Sequence, residues 1–194
     1  MRNQFIAKCV AWLFSLALLL CATLAVSKAE PGMLLDDMSD DTQSRWSYVA
    51  DTVMGGVSRG QAVFGRDDQA NVGFIQLTGK VSTDNNGGFI QVRRALADGL
   101  PADAKSLRLT VRGNGETYYV FLRSRFGTRP WHSYRQEFAT GAQWTDITLP
   151  IADFYPSREE LPETIGPSDV TALGLVAYGR EFDADLSIAR ITVE

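Results

Sequence analysis

Histidine is nearly missing: this chain of 194 residues has one, His132. A single imidazole cannot build a multi-histidine zinc site. Cysteine is scarce too, and both examples, Cys9 and Cys21, fall within the first 29 residues. From residue 30 onward there is no thiol to act as nucleophile, bind a soft metal or close a disulfide, so stability there must come from an apolar core. Lysine is rare after residue 29, where only Lys80 and Lys105 occur and arginine supplies the remaining positive charge. Arginine offers a planar fork for carboxylates and a flat face for stacking, which suits recognition better than amine catalysis. A long 3.6-residue apolar period is absent, as are internal repeats and low-complexity runs. Together these absences argue against a helical bundle, a solenoid and a disordered chain.

What is present begins with an amino-terminal segment of distinct character. Arg2 and Lys8 precede an almost wholly apolar run from Cys9 to Val26, and Ser27-Lys28-Ala29 places small residues where a signal peptidase inspects. This predicts an exported protein, periplasmic or secreted, cleaved after Ala29 and starting at Glu30. The run is also just long enough for an uncleaved anchor over residues 9–26, the one circumstance giving membrane contact. Lipidation at Cys21 is disfavoured, because Leu20 stands where a small residue is needed. The segment holds three of the 19 basic residues and none of the 23 acidic ones, so the remainder carries net −7. An acidic remainder excludes nucleic acid as the expected partner.

Residues 30–43 read as an acidic lead-in, with Met33-Leu34-Leu35 able to dock as a first strand or turn. Residues 44–194 read as one domain, large enough for its own core. About ten short strands follow one another. They start with Trp46 to Ala50, Gln61 to Phe64, Val72 to Leu77, Gly88 to Ala95 and Ser106 to Arg112. Thr117 to Arg123, Ser133 to Phe138, Trp144 to Leu149, Ala172 to Tyr178 and Leu186 to Val193 complete the set. Leu107, Leu109 and Val111 face one way and Arg108, Thr110 and Arg112 the other, a two-residue period. Gly65–Asp68, Gly113–Gly115, Gly127–Pro130 and Thr140-Gly141 carry turn chemistry. Ser157 to Leu161 and Ser168 to Ala172 are the only modest helix candidates. The pattern predicts an all-β sandwich or jelly roll.

Two glycine pairs mark one corner of that fold. Gly55-Gly56 is flanked by Asp51, Met54 and Ser58, and Gly87-Gly88 by Asn85, Asn86 and Phe89. Glycine reaches positive φ without a steric cost and lets backbones approach closely. Trp46, Asp51, the run Val53-Met54-Gly55-Gly56-Val57-Ser58 and the path from Gly79-Lys80-Val81-Ser82 into Asn85–Phe89 resemble the complex I intermediate-associated protein 30 family. Phe154-x-Pro156 and Gly174-Leu175 extend the likeness. Arg158 is followed by Glu159 rather than the family's glycine, and Asp183–Leu186 replaces its Gly-Pro-Phe step. The resemblance implies a galactose-binding-like β-sandwich and a non-enzymatic, chaperone-like role in binding subunits of respiratory complex I (NADH:ubiquinone oxidoreductase) during assembly. It implies no cofactor.

Other chemistry has weaker support in the residue pattern. Gly56-Val57-Ser58-Arg59-Gly60 matches the hydrolase elbow, and Ser58 with Asp84 or Asp98 and His132 would follow triad order. A strand-like segment rather than a helix follows it, so a serine esterase is the weaker reading. Asp51, Asp84, Glu137, Asp146, Asp153 and Glu181 supply carboxylates, but no spacing pairs two of them for glycoside hydrolysis. Asp84, Asn85 and Asn86 offer hard oxygen ligands, yet turn chemistry explains them, and no metal is expected. Between residues 118 and 144, Tyr118, Tyr119, Phe121, Phe126, Arg129, Arg135 and Trp144 read as core or strand-edge residues. Arg123, Arg125, Trp131 and Tyr134, grouped around a Gly/Pro loop, read as the recognition surface, because loops carry sites. The alternative function is an exported carbohydrate-binding module using Trp131, Tyr134 and nearby arginines. Intact-mass measurement of exported protein is expected to show a chain starting at Glu30 with no thiol; a mass retaining residues 1–29 would identify an anchor instead.

Overall fold

Alternation of apolar and polar residues turns almost every segment after residue 32 into a strand with one buried face. The computed structural model describes residues 32–194. The signal or anchor reading of residues 1–29, Cys21 and the expected start at Glu30 lie outside the described residues. Two antiparallel sheets form a β-sandwich. The first contains β3 (Arg59–Asp67), β4 (Val72–Val81), β12 (Phe182–Val193), β6 (Ser106–Gly113) and β9 (Thr145–Pro150), in that order. A short β1 (Met33–Asp36) pairs with the end of β12. The second runs β10 (Tyr155–Pro156), β8 (Tyr134–Ala139), β7 (Thr117–Ser124), β11 (Val170–Tyr178), β5 (Phe89–Ala95) and β2 (Trp46–Ala50).

The inner faces share one core, in which Leu77, Leu109 and Ile188 of the first sheet and Val92, Val120 and Leu175 of the second are sealed from solvent. Each fully buried side chain of this size contributes about 1.5–3 kcal/mol. In β12 the apolar period changes phase, from Leu186 and Ile188 to Ile191 and Val193. A bulge between Ile188 and Arg190 absorbs the extra residue, so all four face inward.

The lead-in docks as a first strand, one of the two forms expected of Met33-Leu34-Leu35: β1 pairs with β12, and Met38 is buried in the core. Its anchor is Asp36, 2% exposed, which accepts bonds from the Trp46 indole N–H at 3.0 Å and from Arg94 at 2.6 Å. β3 and β12 extend past their apolar stretches because pairing with β4 continues into polar residues. Neither helix candidate is an α-helix. Residues 157–161 form bends and turns, and only Pro167–Asp169 makes a single 3-10 turn before β11. Such short segments gain too few hydrogen bonds to offset helix nucleation.

The two glycine pairs meet at a buried carboxylate. Asp51 is wholly inaccessible and accepts bonds from the Ser58 amide (3.0 Å), the Ser58 hydroxyl (2.5 Å), the Gly88 amide (2.6 Å) and the Phe89 amide (3.2 Å). One glycine of each pair is needed for its dihedral: Gly55 has φ 91° and Gly88 φ 129°. The other is needed for space. A side chain on Gly56 would land on the Asp51 carboxyl carbon, and a Cβ on Gly87 would sit 2.5 Å from Asp51 Oδ2. The obstacle at Gly56 is therefore this contact rather than the positive φ expected of it. Asn85 and Asn86, at φ 56° and 57°, complete the turn in the left-handed region that asparagine tolerates.

Burial pushes the Asp51 carboxyl up, but the bonds from Ser58, Gly88 and Phe89 outweigh it and hold the group below its ordinary value of 3.8. A carboxylate with a lowered folded pKa adds stability at neutral pH. That stability is lost as pH falls through the ordinary aspartate range toward the folded value. Thermal melts are expected to show this acid limb in the native protein and its loss in Asp51→Asn. At neutral pH that variant is expected to lose roughly 3 kcal/mol, because charge-assisted bonds vanish and amides are left unpaired. Gly56→Val is expected to lose about 1–3 kcal/mol by overpacking.

Candidate functional site

The outer face of the second sheet carries the complementary half of each strand. In β7, Tyr118, Val120 and Leu122 point into the core, so Tyr119, Phe121 and Arg123 point out. In β5, Ile90 and Val92 go in, which turns Phe89, Gln91 and Arg93 outward. Register aligns these into a cross-strand row: Tyr155, Arg135, Phe121, Gly174 and Arg93 lie side by side on β10, β8, β7, β11 and β5. Gly174 sits in the middle of that row. Its missing side chain leaves an open floor between Phe121 and Arg93, where a Cβ would meet the Gln91 amide oxygen at 2.8 Å. An interior strand glycine of this kind marks a place where another group can approach the backbone.

Above that floor lies a groove of about 260 Å³. Phe89, Gln91, Arg93, Phe121, Arg123, Ser133, Arg135 and Tyr178 line its base and sides. Pro130, Trp131 and Arg158 form one rim, and Met54, Asn86 and Gly87 belong to the glycine corner. The Arg135 guanidinium lies 4.5 Å from the Phe121 ring centre and 4.7 Å from that of Tyr178. It donates to the Ser133 hydroxyl at 3.1 Å and the Tyr178 hydroxyl at 3.0 Å. Arg123 donates to the Arg129 carbonyl at 3.2 Å. Burial and then the positive charge of Arg93 push the Arg123 pKa below its ordinary value. Tyr119, Phe121 and Tyr178 contact one another edge-to-face at 5.3–6.0 Å, which stiffens the base.

The residues expected to recognise a partner are divided by this geometry. Arg123 and Trp131 line the groove, and Trp131 is 45% exposed. Tyr134 does not belong to it. The ring is sealed in the core and its hydroxyl donates to the Pro162 carbonyl at 2.8 Å, because strand alternation opposite Leu122 turns it inward. Arg125 is outside the groove as well, paired with Asp169 at 2.7 Å and lying over Phe126. Phe121 and Arg135, expected to be core and edge residues, are groove residues. Trp144 donates to Asp67 at 3.0 Å and packs under Arg112 on the first sheet. Arg93, Gln91 and Tyr178 were missed. The alternation of Phe89-Ile90-Gln91-Val92-Arg93 holds the signal for the first two, since one face of that strand is polar.

Other candidate chemistry finds no support in the geometry. The Ser58 hydroxyl is 1% exposed, donates to Asp51 and accepts from the Ser82 amide at 2.9 Å, so it closes the corner. No helix follows it. His132 is buried, and neither it nor any of the six carboxylates considered for glycoside hydrolysis lines the groove. Among the described residues no group of three or more histidine, cysteine, aspartate or glutamate side chains gathers around a metal-sized space. Trp131→Ala is expected to leave the thermal melt within about 1 kcal/mol of the parent, as for other exposed sites. Tyr134→Ala is expected to cost about 3–5 kcal/mol, as for a large core ring.

Comparison with known proteins places this geometry in context. The sequence profile described as complex I intermediate-associated protein 30 matches residues 36–188. No curated protein matches the sequence. A family 11 carbohydrate-binding module from Clostridium thermocellum, solved in complex with a beta-1,3-1,4-mixed-linked tetrasaccharide, aligns with a TM-score of 0.66. It is 12% identical, over 83% of this chain and 94% of the module. The family 11 module of a cellulosomal cellulase of the same organism aligns with a TM-score of 0.67 at 13% identity, over 85% of this chain and 95% of that one. At these identities the likeness establishes the shared sandwich fold, a jelly roll, and nothing finer.

Proposed function

The chain belongs to the complex I intermediate-associated protein 30 family, and on that premise we propose that it is a non-enzymatic, chaperone-like binding protein. It holds protein subunits of a membrane complex, those of respiratory complex I, during assembly. One observation carries the reading. Met54, Asn86, Gly87 and Phe89, from the segments that most resemble the family, line the same groove as the outward arginines and rings. The family's characteristic corner and the recognition face are thus one place. A non-enzymatic role is supported by the commitment of Ser58 and Asp51 to each other. Action from the exported side is supported by the sequence of residues 1–29, with its basic start, apolar run and small-residue exit.

A carbohydrate-binding reading has one observation in its favour, an aromatic groove on a sandwich shared with carbohydrate-binding modules. The rings themselves favour it less. Arg135 lies over both Phe121 and Tyr178. That leaves Trp131, with the less exposed Phe89, for sugar stacking. A photo-crosslinking residue placed at Trp131 in the host cell is expected to capture subunits of NADH:ubiquinone oxidoreductase. Capture of none, with glycan binding that Trp131→Ala abolishes, would replace the assembly reading by the carbohydrate one.

A further inference from the structure

The groove is a cationic site inside an acidic protein. Arg66, Arg94, Arg108, Arg112, Arg125 and Arg180 each pair with an aspartate or glutamate. All of these ion pairs lie outside the groove. Arg93, Arg123, Arg135 and Arg158 line it, and among the described residues none of the four has a carboxylate partner. Among the described residues no acid lines the groove with them. The nearest acid by register, Glu137, sits one row along β8 and accepts from Tyr119 at 3.1 Å. Among the described residues Arg45, Arg59, Arg129 and Arg190 also make no ion pair, but they lie outside the groove; what sets the groove apart is four arginines in one place without an acid beside them.

These guanidiniums are held but not neutralised. Arg135 spends two of its five N–H donors on neutral hydroxyls and lies over two rings, which sets its plane without cancelling its charge. Arg123 leans on a carbonyl and repels Arg93 across the open floor at Gly174. An anion between them would relieve that repulsion and fill the remaining donors in the forked geometry carboxylates prefer. Neutral sugars fit this lining poorly. Their hydroxyls need acceptors as well as donors, and the groove offers chiefly donors. At the edges, Met54 (53% exposed) and Trp131 (45%) present apolar surface suited to side chains of a polypeptide. The groove volume of about 260 Å³ admits a short extended stretch rather than a folded domain.

Resting on the reading of the groove as the partner-binding surface, we propose that its ligand is an extended acidic segment of the partner protein. Carboxylates of the segment sit between Arg93, Arg123 and Arg135, and its apolar side chains rest on Trp131 and Met54. Specificity in such a site comes from charge and register, with anchoring from the exposed ring.

Calorimetric titration of the protein with three probes tests this: a capped octapeptide alternating glutamate and leucine, its glutamine counterpart, and trigalacturonate. The glutamate peptide is expected to bind about tenfold or more tightly than the glutamine one, and to weaken as salt is added. Arg93→Gln and Arg123→Gln are each expected to erase that preference without moving the thermal melt. Should either variant melt early, the glutamate-to-glutamine comparison on the unaltered protein decides. Equal binding of both peptides, lost in Trp131→Ala, would overturn the acidic preference while leaving the groove as the binding surface. Tighter binding of trigalacturonate than of either peptide would overturn the protein segment in favour of an acidic glycan. Binding of none of the three would overturn this proposal and the groove reading together.

Discussion

One buried carboxylate organises the corner on which the groove depends. Asp51 has no access to water, and burying a charge is costly unless donors replace that water. Here the donors come from two loops distant in sequence, Ser58 on one side and Gly88 and Phe89 on the other. The carboxylate therefore works as a clasp between the start of β3 and the start of β5. Its demands explain the glycines: backbone must come within bonding distance of the oxygens, and no side chain fits at Gly56 or Gly87. Because β5 begins at Phe89, the clasp also fixes the end of the strand that carries Gln91 and Arg93 to the groove.

The same device recurs twice, each time with an indole. Asp36 accepts from Trp46 and Arg94 and ties the lead-in to the second sheet. Asp67 accepts from Trp144 at 3.0 Å and from Arg112 at 2.7 Å, closing the β3–β4 end against the first sheet. In both cases an arginine and a ring N–H share one carboxylate, so charge is satisfied while the aromatic body stays packed. The groove arginines differ in that no carboxylate among the described residues forms an ion pair with them.

A sheet with both faces used makes neighbouring residues serve opposite purposes. Tyr118 and Tyr134 enter the core, while Phe121, Arg123 and Arg135, on the opposite face of the same strands, line the groove. Gly174 shows the same economy on β11, where inward Leu173 and Leu175 flank an outward position kept empty. Seen along the chain, the aromatic and basic residues from 118 to 144 look like one cluster. Seen across the sheets they separate: some enter the core, some line the groove, Trp144 joins the Asp67 cluster, and Arg125 with Phe126 stands beside Asp169.

The all-β class, most strand positions, the glycine corner and the family resemblance were all readable in the sequence. Period-two alternation, turn chemistry and positive-φ preferences act over a few residues, so they show in any short window. The loop position of Trp131 and the forked chemistry of arginine also pointed toward Arg123. What the sequence could not reveal was which side chains share a face across strands. Tyr134 and Arg125 seemed as good as Trp131 until the pairing of Tyr134 with Leu122 and of Arg125 with Asp169 was known. Arg93 and Tyr178 lie far along the chain from Trp131, and only the order β8-β7-β11-β5 and its register bring them together. Strand character is a local property of backbone sterics and patterning. The composition of a sheet face is set by long-range pairing, and so is decided only when the sheet closes.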